Sequence, residues 1–431
     1  MKVFCYDEFS PEDSAMMQAL YSRSAKSVTE HVEKVRKSGS GKFMESFYVG
    51  YGHNSIADCG STTVFIEDVS ILVTKAFQAH NLYSGQETST RYIDMAKQPL
   101  GDPIGSEKSK QILDNWMDFY TNNQDRMAEY ISERFPRGAD EDEKMYEKAV
   151  KARVFDSLRG FLPAGINTQF SWHTNLRQAH DSLDVLVHHP LEEVRNVANA
   201  VLDALKEKYP NSFSHKTYQD SEDYREYTGR NYTYYHNPDS PQFRLSTDVK
   251  ESDIKEYADL LQNRPQKTLL PQFMLDLGLT KFEFLLDFGS FRDLQRHRNG
   301  VCRMPLITTE FDFNEWYLDQ LPDDLRIKAN ELIANQTKAL EELDCSPEDK
   351  QYYIAMGYNV SCSLSFGLPA MVYVIELRAG RTVHPSLRKV IHEMSRAVEA
   401  KFPDIKLYTD YLLDDWDVRR GSQDIIENPT R

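Results

Sequence analysis

Two stretches nearly two hundred residues apart repeat each other. From Arg195 the chain reads RNVANAVLDALKEKYP, and from Arg388 it reads RKVIHEMSRAVEAKFP. Both open on Arg, place Val two residues later and end in Lys-aromatic-Pro at the same offset. Each follows a His-Pro pair, His189-Pro190 and His384-Pro385. Val194, Val197, Ala198, Val201 and Leu205 recur at helical spacing, so each stretch is expected to be an amphipathic helix stopped by its proline. Other segments recur in the same order. An apolar, β-rich run comes first, STTVFIEDVSILVTKAF in one half and FEFLLDFGSF in the other. A Lys/Glu-rich helical stretch follows, Asp140 to Lys151 and Leu325 to Lys350. The polar, Tyr-rich and Pro-broken segment from Ser212 to Ser246 reads as a linker. The expectation is an α/β (α+β) chain of two tandem repeats, residues 1–235 and 236–431. Each repeat would be a small mixed sheet with helices, and the pair a fused pseudo-dimer.

The net charge of −16 argues against nucleic-acid binding, which needs a basic surface. An anionic ligand must then be met by local clusters of Arg. The five cysteines, Cys5, Cys59, Cys302, Cys345 and Cys362, show no CxxC spacing, so no zinc site is expected. No run approaches the roughly 18 apolar residues of a membrane span, and MKVFCYDEFSPEDS lacks a secretory pattern. The reading is a reduced, cytoplasmic protein with no membrane partner.

The first half holds Gln86-Glu87-Thr88-Ser89-Thr90-Arg91-Tyr92 about thirty residues after Tyr51-Gly52-His53-Asn54-Ser55. A serine hydroxyl beside a guanidinium fork suits a phosphate, which takes charge-assisted, bidentate hydrogen bonds. Ser-x-Arg alone is also a common surface-loop pattern. The second half holds Arg292-Asp293-Leu294-Gln295-Arg296-His297-Arg298. Fixed donors of this kind stabilise a cofactor ring that becomes anionic, and the same triplet alone also describes a solvated basic turn. Cys302 lies near these cations, but no base accompanies it, and packing is the simpler role. His188, His189 and His384 lack metal-ligand spacing and read as cap or surface residues.

Together these motifs resemble the flavin-dependent thymidylate synthases. The first half is similar in its GHxS, its ExSxRY, Arg159 to Pro163 (Arg-x-x-Leu-Pro), and Trp172 to Arg177 (Trp-x-x-Asn-x-Arg). The second half is similar in Arg296-His297-Arg298 and in the Leu377-Arg378 pair. Where the family has Arg-His-Arg the first half reads Gln78-Ala79-His80, and the family's later Arg falls near Leu186. The second half has no ExSxRY. The losses are complementary, which implies division of labour after fusion.

The resemblance implies an enzyme in which reduced FAD, recharged by NADPH, mediates methylation of dUMP to dTMP with methylenetetrahydrofolate. It implies that Glu87, Thr88, Ser89, Thr90, Arg91 and Arg159 hold the nucleotide together with Arg296. It assigns the flavin to Arg296, His297 and Arg298 with His53, Ser55, Asn175 and Arg177. Arg378 would sit at the uracil ring as the catalytic residue. The family assembles as a homotetramer, so a fused chain is expected to form a homodimer, a pseudo-tetramer. Alternatives are an enzyme modifying another uracil nucleotide at carbon 5, or a non-catalytic flavin- or nucleotide-binding homologue.

Overall fold

A computed structural model describes residues 8–22, 24, 27–50, 54–91, 93–416 and 418. The chain forms two compact units that are not contiguous halves. One runs up to Thr88 and adds Thr168–Thr233, and the other combines Ser89–Asn167 with the chain from Tyr234 onward.

In the first unit β1 (Ser61–Ser70) pairs with β2 (Asn167–Asn175). The apolar run is only half strand. Ser70 ends β1 by turning its hydroxyl onto the Val73 amide at 3.3 Å, capping α1 (Ile71–Gln78), a helix buried at every residue. A serine cap satisfies an amide that the helix itself cannot, so the chain switches period at that point. β2 alternates, with Phe170 and Trp172 turned inward onto Phe77 at ring distances of 5.3 and 5.6 Å. Asn175 caps α2 (Leu176–Leu186). α3 (Glu192–Lys208) buries Val194, Ala198, Val201 and Leu205 and stops at Tyr209, ahead of Pro210.

The segment expected to be a linker is folded. It contains the helix Gln219–Tyr232 in the first unit and, in the second, β3 (Phe243–Thr247). Its polar composition reflects an exposed helix rather than missing structure. Tyr218, Tyr224, Tyr227 and Tyr232 all face solvent.

The second unit is built on a four-stranded sheet. β3, β4 (Leu279–Asp287), β5 (Gly300–Cys302) and β6 (Asn359–Gly367) lie in the order β3-β4-β6-β5. Every pairing is antiparallel, where a mixed sheet was expected. β4 and β6 run in register from Leu279 opposite Gly367 to Asp287 opposite Asn359. Asp287 ends β4 and caps α4 (Phe288–Leu294) through the Ser290 amide at 2.8 Å. β6 runs directly into α5 (Leu368–Arg378), and α6 (Pro385–Lys401) follows, again ending at an aromatic residue before proline.

Within this unit two short segments embrace reciprocally. The helix Glu143–Leu158 leads into the 3₁₀ turn Arg159–Phe161, and after the helix Asp323–Glu341 comes the 3₁₀ turn Gln351–Tyr353. The Ala164 amide donates to the Ile354 oxygen at 2.9 Å, and the Met356 amide donates to the Leu162 oxygen at 2.8 Å. Gly165 donates to Tyr352 at 3.0 Å, and Gly357 donates to Gly160 at 2.7 Å. Flanking loop segments obey the same exchange, Gly101 to Gly165 at 2.8 Å and Asn314 to Gly357 at 2.9 Å. Each bond has a mate 192 residues along on one side, the pattern of an isologous contact about a two-fold axis. No helix among the described residues is long and apolar enough to cross a membrane.

Candidate functional site

The first-half motif divides between the units after Thr88. Glu87 lies opposite Phe170 of β2, and the Thr88 amide donates to the Gln169 oxygen at 3.1 Å. The Glu87 carboxylate is buried, 1% exposed, and takes hydrogen bonds from Lys75 at 2.7 Å and Gln78 at 3.1 Å, both on α1. Asn175 is occupied as the cap of α2, and Arg177 donates to Asp58 at 2.7 Å. Ser55 is exposed on the short helix Asn54–Ala57. His53 and Tyr92 lie outside the described residues.

Ser89, Thr90 and Arg91 belong to the second unit, and so do Arg159, Arg296, His297, Arg298 and Arg378. There the two sets of Arg come together. Arg91 grips the fully buried Asp156 with two parallel bonds, Nε at 2.8 Å and Nη2 at 3.0 Å, while its Nη1 donates to the Thr382 oxygen at 3.0 Å, four residues beyond Arg378. Ser89 Oγ accepts from the Arg91 amide at 3.3 Å. Thr90 is buried and accepts from Arg292 of α4 at 3.3 Å. Arg159, 2% exposed, donates to Ser290 Oγ at 2.7 Å and Tyr317 Oη at 3.2 Å. Burial disfavours its charge, but Tyr317 and Asp287 outweigh that and raise its pKa.

At the end of α4, Arg296 is exposed and stands 3.7 Å from Asp293. Arg298 donates to the Arg296 oxygen at 3.4 Å. His297 is buried and accepts from Arg378 Nε at 2.7 Å through its Nε2. Burial and the Arg378 charge push His297 down to about 3, so the ring is neutral. Asp293 is the common neighbour. Burial raises its pKa, but the charges of Arg296, Arg378, Arg159 and Arg91 together overcome burial and hold it below the ordinary carboxylate range. Asp293 and Asp156 are the residues that sequence reasoning did not single out. Asp293 shows in the sequence only as an i,i+3 partner of Arg296, and Asp156 carries no local signal.

The comparisons with known proteins bear on this geometry. Residues 6–211 match the family described as thymidylate synthase complementing protein. A UPF0159 protein of Chlamydia pneumoniae is 24% identical over 90% of this chain and 84% of its own. Another, of Thermoplasma acidophilum, is 23% identical over 91% and 94%. The flavin-dependent thymidylate synthase of Pyrococcus furiosus is 24% identical over 46% of this chain and 75% of its own. The chain is thus similar to thymidylate synthase complementing proteins over residues 6–211, and at low identity to flavin-dependent thymidylate synthases over about half its length. The UPF0159 relatives align over nearly the whole chain, and the synthases over about half of it.

The fold corrects one register. The sequence comparison set the family's Arg-His-Arg against Gln78-Ala79-His80. Counted from the caps Ser70 and Asp287, α1 and α4 align Lys75 with Arg292, Gln78 with Gln295 and His80 with His297. Ala79 and Asn81 therefore stand where Arg296 and Arg298 stand, and the histidine is kept. Sequence alone could not set this register because the cap residues differ.

Other candidates have structural roles. Burial pushes the Cys302 thiol up to about 12, which leaves no thiolate at neutral pH. His189 Nδ1 accepts the Leu191 amide at 3.1 Å, and His384 is buried at the cap of α6. Among the described residues no group of three His, Cys, Asp or Glu could hold a metal ion.

Proposed function

We propose that the chain is a flavin-dependent thymidylate synthase-like enzyme with one composite site per chain. The repeats would be 1–235 and 236–431, working as a homodimer with FAD, NADPH, methylenetetrahydrofolate and dUMP. The observation that carries this reading is the shared carboxylate. Asp293 feels Arg91 and Arg159 from one half of the sequence and Arg296 and Arg378 from the other.

The donor set fits anionic ligands. Arg91, Arg159, Arg296 and Arg378 all act on Asp293, a concentration of guanidinium groups in a protein of net charge −16. Arg296, His297 and Arg298 would hold FAD, which when bound supplies the redox chemistry of the methylation.

Each side chain then has a definable task. Arg91 with Ser89 would bind the nucleotide phosphate. Asp156 fixes the plane of that guanidinium in advance, which lowers the ordering cost of binding. Neutral His297 orients Arg378 by accepting from Nε, so the outer guanidinium hydrogens of Arg378 address the uracil ring. That contact strengthens as negative charge develops on the ring.

Isothermal titration of dUMP into the full chain, with and without added FAD, tests this reading. One nucleotide and one flavin per chain are expected, with conversion of dUMP to dTMP when the co-substrates are supplied. Absence of pyrimidine-nucleotide binding in the FAD-loaded protein would overturn it.

A further inference from the structure

The two strand-helix corners use the same device with its parts exchanged. At the first, the cap is a hydroxyl and the long helix supplies the carboxylate. Ser70 Oγ donates to Glu193 Oε2 at 2.6 Å and the Ser70 amide to Oε1 at 2.9 Å, Glu193 being the second residue of α3. At the second corner the cap is the carboxylate. Ser386, the second residue of α6, donates Oγ to Asp287 Oδ1 at 2.5 Å. Either arrangement pins a short helix to a long one, so packing alone does not require the carboxylate to sit on the strand.

What distinguishes Asp287 is its further reach. Its Oδ2 accepts from Tyr317 Oη at 2.8 Å and lies 3.9 Å from Arg159 Nη2. Ser290, whose amide it accepts, takes the 2.7 Å bond from Arg159 Nη2. Ser386 Oγ also meets Ser290 Oγ and His384 Nδ1, each at 2.8 Å, and His384 Nε2 faces the Asp156 oxygen at 3.4 Å. Asp287, Ser290 and His384 are fully buried, and Ser386 is 3% exposed. This is not a nucleophile chain. The Ser386 hydroxyl spends its proton on the carboxylate instead of on the imidazole, and no member is open to a substrate.

We propose that Asp287 is the positioning residue of Arg159: with its carboxylate on the strand end instead of on the long helix, it locks the Arg159 guanidinium beneath the Arg cluster. This rests on reading that cluster as an anion site. Arg159 then acts through its charge and not by touching the ligand. A buried guanidinium held by three oxygen partners adds to the field of the site without ordering cost at each binding event.

The test moves the carboxylate back. In the double variant Asp287→Ser/Ser386→Glu the second corner takes the arrangement with which the first corner folds. Asp287→Asn keeps the shape and removes the charge, and Tyr317→Phe is a milder cut at one bridge. Full-length proteins are treated with phenylglyoxal, and peptide mass spectrometry reads the modification rate of Arg159 relative to exposed Arg36. Thermal midpoint and dUMP affinity are measured in parallel. Arg159 is expected to react at least tenfold faster in the double variant and in Asp287→Asn, and about threefold faster in Tyr317→Phe. The dUMP affinity should fall about tenfold in the first two. A merely structural role would lower the melting point without changing the Arg159 rate in the folded protein. Protection of Arg159 at the wild-type level in whichever of the three variants fold overturns the inference. If wild-type protein binds no dUMP while the variants expose Arg159, the anion-site reading fails and the positioning of Arg159 stands.

Discussion

The corner β1-α1 and the corner β4-α4 begin alike and end in opposite electrostatic states. At the first, Lys75 turns back onto Glu87 and Gln78, and the pair is closed off with 0% and 1% of the two charged side chains exposed. At the second, the matching Arg292 reaches Thr90, Asp293 stands in place of Ala76, and Arg296 and Arg298 stand in place of Ala79 and Asn81. One corner has neutralised itself inside the fold. The other gathers the charges of Arg296, Arg378, Arg159 and Arg91 around Asp293. A self-satisfied buried ion pair contributes to one well-defined structure at most, whereas unbalanced charge is costly unless a ligand completes it. The comparison teaches that the shared helix is scaffold, and that function follows from where the counter-ions sit.

The sharpest way to break this contrast is to remove one cation from a buried pair at each corner. Lys75→Met takes the cation from Glu87, and Arg91→Ala takes it from Asp156, which is fully buried. Each should cost about 3–5 kcal/mol of stability, the penalty for removing one partner of a buried ion pair. They should differ in ligand binding. Folded Lys75→Met should keep its dUMP affinity, while Arg91→Ala should lose a further tenfold to a hundredfold, from a charge-assisted contact of roughly 1.5–3 kcal/mol. Urea unfolding and dUMP titration on the same samples separate the two effects. Equal loss of dUMP affinity in both variants would erase the distinction between the corners.

A second pair of changes compares the helix ends. Arg296→Ala should release FAD on gel filtration with little change in melting point, because Arg296 is half exposed, its contact to Asp293 is long at 3.7 Å, and Asp293 keeps the charges of Arg378, Arg159 and Arg91. His80→Ala at the matching position should retain FAD. The reverse graft, Ala79→Arg/Asn81→Arg, restores the triplet to the first corner. We expect it to leave flavin stoichiometry at one per chain, since the Lys75–Glu87 pair keeps that corner closed. A rise toward two flavins per chain, read by absorbance, would show that the triplet alone makes the site.

Arg378→Ala should act on rate. Its Nε is spent on His297, so the remaining donors are free to respond to charge developing on the ring. Turnover should fall more than dUMP affinity, the mark of an interaction made mainly in the transition state. A variant with raised KM and unchanged kcat would assign Arg378 to ground-state binding instead.

How much of this was legible in the sequence depends on range. The two long helices showed in RNVANAVLDALKEKYP and RKVIHEMSRAVEAKFP because their apolar spacing and terminal prolines are local facts. The Arg motifs showed because each is a short, continuous run of residues. The antiparallel pairing of β4 with β6 is non-local and left no trace in either segment. The helix Gln219–Tyr232 was hidden by its polarity, since an exposed helix without an apolar stripe resembles a loop. Glu87 looked like a ligand because its motif is continuous in sequence, yet the fold parts that motif after Thr88 and gives Glu87 a lysine from the helix before it. Asp287 and Ser386 were invisible for a similar reason. Each is an ordinary cap or helix-start residue until the other is known to face it.

The smallest expected effect concerns acid stability, and it returns to the matched histidines. Both are shifted the same way. Burial lowers His80, and at His297 burial is joined by the charges of Arg378, Arg298 and Arg296, which take it down to about 3. In the unfolded chain each titrates near 6.5. As pH falls below that value the unfolded state binds protons that the folded state refuses, so stability declines with falling pH. The contribution is fully present above the unfolded value. For His297 it goes on being lost down to about pH 3. The buried carboxylates act in the same direction but mainly below their own unfolded values near 4, so the window from about 6.5 to 4 belongs to histidine. His297→Gln should therefore flatten the decline of unfolding free energy across that window. His80→Gln should flatten it less, because only burial opposes its protonation. Urea unfolding at half-unit steps of pH reads both slopes. Equal flattening would mean that the Arg charges do not reach His297 and that burial alone sets the two corners. No flattening in His297→Gln would mean that its ring takes up the proton in the folded protein and turns away from Arg378.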